Sequence, residues 1–263
     1  MMDLNNDRED PVDILNDALE FLGGSKVVED IISYGDLRLT AALKEGKANT
    51  LLADHLFSPG LFLAEKIERG VLRASELSVV ELGAGTGLPS ILLSTLPIPP
   101  AAIVVTDFPD AGILGNLEKN VERNKHLVAS GCDLHCRGYE WGCDVAPLLP
   151  LSRRVDQKYD LVILSDLLHF HSSHGVLISS ADALLAADGH IHVAAGFYTK
   201  PHVCDNFLRL ATEAGFAFDE VIAEGEELEW LGTMVVGGLD NDALKVRKAA
   251  CRYWIGRRVD AQT

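Results

Sequence analysis

Apolar and polar positions along the chain follow two different periods. Uninterrupted apolar runs, typical of strands buried on both faces, predict strands at residues 77–82, 102–106, 133–137, 159–164 and 190–195. Apolar residues at helical spacing predict helices at residues 58–69, 88–96, 110–129, 173–187 and 201–214. Strands that alternate with helices imply right-handed crossovers, and therefore an α/β fold with a mostly parallel sheet and helices on both faces.

The two ends of the chain have a different character. Residues 1–11 form a polar, acidic stretch that we interpret as a flexible tail, and residues 12–22 have the spacing of an N-terminal helical extension. A short strand is expected at residues 37–41. Beyond residue 215 we expect a last pair of strands, one at 216–224 and the other at 234–237 or 251–255. With no internal repeat and no low-complexity linker, residues 12–263 are expected to form one domain.

Composition narrows the range of partners. Of the 263 residues, 48% are hydrophobic but only 6% aromatic, so aliphatic side chains must fill the core. The formal net charge of −16 repels phosphate backbones and favours a basic partner, so no nucleic acid is expected. Residues 1–10 do not have the pattern of a signal peptide, no apolar run is long enough to span a membrane, and the five cysteines form no framework. We expect a cytoplasmic monomer that does not bind membranes.

The strand at residues 77–82 ends in an acid, Glu81, and runs directly into three alternating glycines, Gly83, Gly85 and Gly87. Glycine permits the positive φ of a sharp turn and lets a ligand approach the backbone. Amides at the start of the following helix can then bind an anionic group, here the carboxylate of a methionine moiety. The dinucleotide fingerprint would place its third glycine at residue 88, so the spacing favours S-adenosylmethionine. A tight turn without a ligand is the alternative.

Two further acids follow buried strands. Asp107 ends the next strand, 20 residues after Gly87, where an acid can accept both hydroxyls of a ribose or cap the following helix. Asp166 follows the apolar run at residues 159–164, where it could orient an incoming amine, accept its proton, or simply cap the next loop or helix. His169, His171 and His174 lie nearby, but a loop would scatter them, so no metal is expected.

These motifs together resemble lysine methyltransferase family 16, a group of seven-strand, Rossmann-like methyltransferases. The resemblance rests on Glu-Leu-Gly-Ala-Gly-Thr-Gly-Leu-Pro-Ser, on Val-Val-Thr-Asp-Phe-Pro-Asp with Asn116 and Asn120 downstream, on Gly-Tyr-Glu-Trp-Gly, and on Leu-Ser-Asp-Leu-Leu. It covers residues 51–215, which would form the cofactor-binding core. It is closest to a fungal branch described as nicotinamide N-methyltransferase-like or as modifying a translation elongation factor. In the family an aromatic residue commonly stands at the position of His169.

The resemblance implies a role for each matching residue. Glu81, Gly83, Gly85 and Gly87 would hold the methionine part of S-adenosylmethionine, and Asp107 would hold the ribose. Trp141 would lie against the adenine or close the pocket, and Ser165 and Asp166 would line the methyl-donor end. The expected reaction is methylation of a protein lysine or N-terminus. A small-molecule amine such as nicotinamide, a non-catalytic cofactor-binding protein and a nicotinamide-dinucleotide dehydrogenase remain as alternatives.

Overall fold

The structure is a computed structural model that describes residues 31–53 and 55–259. The predicted acidic tail and the helix at residues 12–22 lie outside these residues. A two-stranded antiparallel hairpin, β1 (Ile32–Tyr34) and β2 (Leu37–Leu39), comes first. The main sheet has seven strands: β3 (Ser78–Leu82), β4 (Ala102–Asp107), β5 (Asp133–Gly138), β6 (Tyr159–Ser165), β7 (Leu185–Gly196), β8 (Phe216–Glu220) and β9 (Cys251–Arg258).

The strands of the main sheet lie in the order β5-β4-β3-β6-β7-β9-β8. The first five are parallel, and only β9 runs antiparallel to both of its neighbours. The chain moves outward from β3 to β5 and then returns to the other side of β3 with β6. This reversal leaves a crevice at the carboxyl ends of β3 and β6, where ligands bind in open parallel sheets. The predicted α/β fold with a mostly parallel seven-strand sheet is confirmed.

Seven α-helices accompany the strands in the described part of the chain. They are α1 (Gly46–Thr50), α2 (Ser58–Glu68), α3 (Leu88–Ser94), α4 (Ala111–Asn124), α5 (His174–Leu184), α6 (Pro201–Glu213) and α7 (Asn241–Ala249). No helix among these residues is both long and apolar enough to cross a bilayer.

The sheet has a separate core on each face. Successive residues of β3 alternate between them, because side chains along a strand point to opposite faces: Val79 joins one cluster and Val80 the other. The first cluster contains side chains of α2, α3, α4 and α7 together with the hairpin, and the second contains those of α5 and α6. Both faces are therefore covered by helices, which explains why the central strands are apolar throughout.

Two asparagines of α4 form hydrogen bonds with the hairpin at the edge where another strand would otherwise pair. The Asn120 side chain accepts from the Thr40 amide at 2.9 Å and donates to the Thr40 carbonyl at 2.8 Å. Asn124 does the same for Arg38, at 2.8 Å in both directions. A carboxamide offers one acceptor and two donors, so it can pair with the exposed backbone edge of β2 as another strand would. Spacing of four residues puts both asparagines on one face of the helix.

A buried ionic cluster joins α2 to α7. The Oε1 atom of Glu65, which is fully buried, accepts hydrogen bonds from Lys248 Nζ at 2.7 Å, Arg69 Nε at 2.7 Å and the Leu231 amide at 3.0 Å. Lys248 also donates to the Glu229 carbonyl at 2.9 Å. Charges this deeply buried require such partners. The cluster therefore ties the segment before α7 to α2, the helix that follows the cavity-lining residues 55–57.

Several element boundaries differ from the predictions. The helix predicted to reach residue 129 ends at Asn124, followed by a short 3-10 turn at Lys125–Leu127. The helix predicted to reach residue 187 ends at Leu184, because β7 begins at once and pairs Leu185 with Tyr159. Of the two candidates for the last strand, residues 251–255 belong to β9, whereas at 234–237 the structure has only a bridge from Val236 to Tyr34. The helix α7 and the strand β1 were not predicted.

Candidate active site

A cavity of about 340 Å³ opens at the carboxyl ends of β3, β4 and β6, where the strand order reverses. This volume is within the usual range for small-molecule sites. Its walls come from residues 51–53 and 55–57 before α2 and from the segments that follow four strands. The predicted site residues along its walls are Gly83, Gly85, Asp107, Trp141, Ser165 and Asp166.

The turn after β3 forms the floor of the cavity. Gly83, Gly85 and Gly87 have φ of 61°, 57° and 77°, in the left-handed region that favours glycine. A Cβ atom at Gly83 would lie 2.8 Å from Leu167 Cδ2, and one at Gly87 would lie 2.8 Å from Leu117 Cδ1. At Gly85 a Cβ would meet no atom within 4 Å, so this residue faces open space. The turn thus presents bare backbone to any ligand in the cavity.

Asp107 fixes that turn from the neighbouring strand. Its Oδ2 accepts from the Gly85 amide at 2.7 Å, and its Oδ1 accepts from the Phe108 amide at 2.7 Å. Each carboxylate oxygen keeps a further acceptor position after one such bond, so two hydroxyl groups could still bind. Burial raises the pKa of Asp107, and the two amides oppose that rise. It does not cap α4: Asp110 does so, through the Gly112 amide.

Glu81 lies behind the turn and does not line the cavity. It is fully buried, and neither carboxylate oxygen has a hydrogen-bond partner. Burial raises its pKa to about 8; the Ser90 hydroxyl and amide lower it in part, although neither reaches the geometry of a hydrogen bond. Gly87 also lies outside the cavity wall, as the residue that caps α3. A direct role of these two residues toward a ligand stays a prediction.

Trp141 and Ser165 both line the cavity but have different neighbours. The Trp141 ring packs edge-on against Phe170 at 5.6 Å between centroids, and its Cζ2 atom is 3.0 Å from where a Gly83 Cβ would stand. Ser165 is the last residue of β6, and its Oγ would lie 3.9 Å from a Cβ at Gly60 in α2. The tryptophan thus covers the turn, and the serine marks the border with the segment before α2.

Asp166 is held in an unusual conformation at the end of β6. Its φ is 65°, in a region that an aspartate tolerates better than most residues but that still costs free energy. Its amide donates to the Ala194 carbonyl at 2.8 Å, its Oδ2 accepts from the Tyr198 hydroxyl, and its Oδ1 is buried without a partner. Burial raises the pKa of Asp166 to about 7, and the Tyr198 hydroxyl and the nearby Gly196 amide oppose that rise, although the amide does not reach the geometry of a hydrogen bond to Oδ1. Such strain and such a pKa are common at functional sites.

The histidines after β6 have separate environments. His169 lines the cavity at 3.9 Å from the Phe170 ring, with both ring nitrogens unpartnered and a pKa lowered by burial. His174 lies away from the cavity wall, and its Nε2 atom is 2.8 Å from the Leu168 carbonyl oxygen. Among the described residues, no three His, Cys, Asp or Glu side chains are grouped as a metal site would require.

The sequence did not reveal some of the residues around this cavity. Tyr198, which donates to Asp166, was missed although it closely follows the carboxyl end of β7, the kind of position that drew attention to Asp107 and Asp166. His55 and Phe57 also line the cavity, in a segment to which the sequence assigned no role. Asn120 was quoted only as part of a resemblance, but it bonds the glycine turn at the Thr86 carbonyl.

A seven-strand sheet of this order, with a glycine turn and an acid at the ends of adjacent strands, defines the class of S-adenosylmethionine-dependent methyltransferases. The sequence pattern of the lysine methyltransferase family matches residues 39–213, and the chain belongs to this family. Its cofactor is S-adenosylmethionine. The open space at Gly85 and the free acceptor positions of Asp107 fit a nucleoside with an amino acid attached.

Two fungal relatives are similar over most of the chain. The protein N-terminal and lysine N-methyltransferase EFM7 of Yarrowia lipolytica is 33% identical over 231 residues, which are 77% of this chain and 80% of that protein. The enzyme of the same name from Schizosaccharomyces pombe is 30% identical over 183 residues, or 67% and 69% of the two chains. Among solved structures, the mitomycin 7-O-methyltransferase MmcR matches with a TM-score of 0.51 at 12% identity, over 81% of this chain and 58% of that one. This last likeness concerns the fold alone.

Proposed function

We propose that this enzyme methylates an amine of a protein, either a lysine side chain or an N-terminus. The observation that carries the proposal is the buried Asp166 carboxyl, whose Oδ1 has no partner within the protein and which lines the cavity beside Ser165. An unpaired buried acceptor is costly unless a ligand completes it, and an amine N–H is a suitable donor. The relatives described above carry this activity in their names.

The cofactor would be held by residues from the ends of three strands and the loop after β5. S-adenosylmethionine supplies, when bound, an electrophilic methyl group on a sulfonium sulfur. Asp107 would accept the ribose hydroxyls, and Trp141 would cover the adenine. Ser165 would lie beside the end that carries the methyl group. The methionine part would rest on the turn made by Gly83, Gly85 and Gly87, with Glu81 behind it.

Asp166 would prepare the acceptor amine. A lysine ammonium has a pKa of about 10.4 in water and must lose a proton before its nitrogen has a free electron pair. A carboxylate whose pKa is about 7 is a better match to neutral pH than an exposed aspartate, because it holds the proton more firmly. The proton would pass from nitrogen to Oδ1, and the neutral nitrogen would remain hydrogen-bonded to Asp166 in a fixed direction. Alignment of this kind can contribute on the order of 7 kcal/mol to the reduction of a barrier.

The partner we propose is a basic protein, and by family resemblance a translation elongation factor. The net charge of −16 attracts basic surfaces and repels nucleic acid. We further propose that the enzyme acts in the cytoplasm as a monomer.

The test measures transfer of the methyl group from isotopically labelled cofactor to the proteins of a cell lysate. The same transfer is then measured with purified elongation factor as the acceptor. A discrete labelled protein, with the modified lysine or N-terminus located by mass spectrometry, is expected. Nicotinamide and other small amines are tested in parallel, and label found only in small metabolites would reject the proposal in favour of the small-molecule alternative.

Methyl transfer and cofactor binding are distinguished by one variant, Asp166→Asn, and by a binding measurement on the wild type. Asp166→Asn keeps the shape of the side chain and tolerates the same backbone conformation, but it cannot accept a proton. It should bind S-adenosylhomocysteine as the wild type does and transfer about a hundredfold more slowly. If the wild type binds the cofactor product but labels no fraction at all, the chain is a non-catalytic cofactor-binding protein.

A further inference from the structure

Tyr198 reaches from the protein surface to the buried carboxyl of Asp166. It lies in the turn after β7, with 52% of its surface exposed, whereas Asp166 is only 7% exposed. The hydroxyl of Tyr198 nevertheless donates to Oδ2 of Asp166. The other oxygen, Oδ1, has no partner. One side of the carboxyl is therefore occupied by the protein and the other is left for a ligand.

The end of β7 is built to hold this tyrosine. Gly196 is the last residue of the strand, and a Cβ there would lie 2.3 Å from Cε1 of Tyr198, so only glycine lets the ring fold back over the backbone. The turn is closed by the Thr199 amide, which donates to the Gly196 carbonyl at 2.9 Å, and the Phe197 amide donates to the Ala250 carbonyl at 2.8 Å. Asp166 itself is bonded to Ala194 of the same strand, so both partners are held by one end of β7.

We propose, building on the function proposed above, that Tyr198 is a positioning residue for the acceptor amine, which it controls by fixing Asp166. Its hydroxyl bonds Oδ2, so the amine binds at Oδ1, the oxygen of that carboxyl that has no partner within the protein. A carboxyl group free to rotate would offer its two oxygens in several directions. Fixing it gives the amine a single direction of approach.

The same hydrogen bond controls when Asp166 is ionised. A donor to the carboxylate favours its charged form, and here it opposes the rise of pKa that burial causes. Burial raises the pKa of Tyr198 and Cys251 and lowers that of His169, so these three neighbours are uncharged near neutral pH. The other titratable side chains along the cavity wall are His55, Asp107, Tyr139 and Glu140.

The ring of Tyr198 also packs against an aromatic pair that lines the cavity. Its centroid lies 5.9 Å from that of Phe57, which in turn lies 5.6 Å from the ring of His55. Phe57 and His55 line the cavity. Aromatic faces attract an ammonium group and pack against the methylene groups of a lysine. A long, cationic side chain that enters past these rings would meet Asp166 at its tip.

The experiment is the pH dependence of kcat/KM for protein methylation in the wild type and in Tyr198→Phe. Phenylalanine keeps the ring over Gly196 and beside Phe57 but cannot donate to Asp166. Because the pKa of Asp166 should then rise, the acidic limb of the profile should move upward by about one pH unit, with kcat/KM near pH 7 about tenfold lower. Binding of S-adenosylhomocysteine, measured by calorimetry, should not change.

Tyr34→Phe is the matched control. Its hydroxyl also donates to a carboxylate, Glu68, but neither residue lines the cavity, so the acidic limb should stay at its wild-type position. In Asp166→Asn, with or without Tyr198→Phe, the limb should disappear. An acidic limb at the same pH in Tyr198→Phe and in the wild type, with the limb lost in Asp166→Asn, would overturn the role of Tyr198.

A measurement without substrate separates this proposal from the function on which it rests. The carboxyl carbon of Asp166 can be followed by NMR in the cofactor-free protein, with its signal assigned from Asp166→Asn. The titration midpoint should lie higher in Tyr198→Phe than in the wild type. If the wild type methylates no protein, the proposed function fails, and this titration still decides whether Tyr198 controls the carboxyl.

Discussion

Asn120 donates a hydrogen bond of 3.1 Å to the carbonyl oxygen of Thr86, inside the glycine-rich turn. The same side chain pairs with both backbone groups of Thr40, at 2.9 Å and 2.8 Å. It is fully buried in the middle of α4. One carboxamide therefore connects the glycine-rich turn, the helix after β4 and the segment that follows the hairpin.

Removal of that carboxamide should affect both stability and cofactor affinity. In Asn120→Ala the Thr40 amide and the Thr86 carbonyl lose this partner, while the Thr40 carbonyl keeps its bond from Asn116. The free energy of unfolding should fall by about 3 kcal/mol. The turn loses one of its supports, so we expect S-adenosylhomocysteine to bind about tenfold more weakly. Denaturant unfolding and calorimetric titration measure the two effects.

Asn116→Ala is the control, since this side chain bonds Thr40 but not the glycine turn. It should lose about 1 kcal/mol of stability and bind the cofactor product normally. Equal affinities of the wild type and Asn120→Ala would show that the turn keeps its shape without Asn120.

Gly85→Ala should weaken cofactor binding. The φ of 57° is unfavourable for alanine by about 1–2 kcal/mol, and the added methyl group projects toward the cavity side of the turn, where no protein atom lies within 4 Å. We expect at least a tenfold loss of affinity for S-adenosylhomocysteine, measured by calorimetry.

Gly115→Ala provides the comparison, because that glycine lies within α4 and a Cβ there would also meet no atom within 4 Å. It should leave affinity unchanged and stabilise the protein by about 0.5–1 kcal/mol, through helix propensity. Undiminished binding in Gly85→Ala would contradict the assignment of this turn to the cofactor.

Glu81 should make the cofactor-free protein less stable as the pH rises. Its pKa is raised to about 8 in the folded state, above the usual value of about 4.3 expected in the unfolded chain. Between these two values the folded state binds more protons than the unfolded state, so stability falls with increasing pH. Glu81→Gln removes this carboxyl while keeping its size, and should be the more stable protein by on the order of 3 kcal/mol at pH 8.

The measurement for Glu81 is urea unfolding of the two proteins at pH 5, 6.5 and 8. The difference in unfolding free energy should be small at pH 5 and grow with pH. Asp166 also has a raised pKa, but it is present in both proteins and cancels in the comparison. A difference that does not depend on pH would mean that Glu81 titrates normally.

Lys248→Met should destabilise the fold strongly. The substitution keeps most of the side-chain volume but leaves the buried Glu65 without one of its two cations, at a cost of about 3 kcal/mol. Lys245→Met, on the same helix, removes an exposed pair with Glu229 and should cost less than about 1 kcal/mol. Thermal unfolding of both variants checks this, and similar losses would indicate that the buried position has no special importance.

The alternation of strands and helices could be predicted from sequence because the central strands are buried on both faces. Their apolar runs, such as Val79-Val80 and Ile103-Val104-Val105, identify them as strands even when the neighbouring strand is unknown. The helix α7 could not be predicted in this way, since only Leu244 and Lys248 are buried and one of them is charged. The start of β7 at Leu185 was hidden because an alanine-rich stretch suits a helix equally well until Tyr159 pairs with it.

The cavity residues likewise include some that the sequence could predict and others that it could not. Those on the strand ends, Asp107 and Asp166, were placed correctly because the carboxyl ends of parallel strands meet at one edge. Two contacts around the cavity were not visible in the sequence, because Tyr198 reaches Asp166 across 32 positions and Asn120 reaches Thr86 across 34. Glu81 lies within β3, two residues after Val79 and therefore on the same face of the sheet, so its side chain packs in the core and not along the cavity wall.

The insertion of β9 between β7 and β8 has a consequence for the order in which the protein folds. During synthesis β8 leaves the ribosome about 30 residues before β9, the neighbour to which it bonds. Until β9 emerges, the free edge of β7 and the whole of β8 expose unpaired backbone groups, which is a state prone to association. The sheet can therefore close only after residue 258 has left the ribosome, and in that interval the nascent chain is exposed to association.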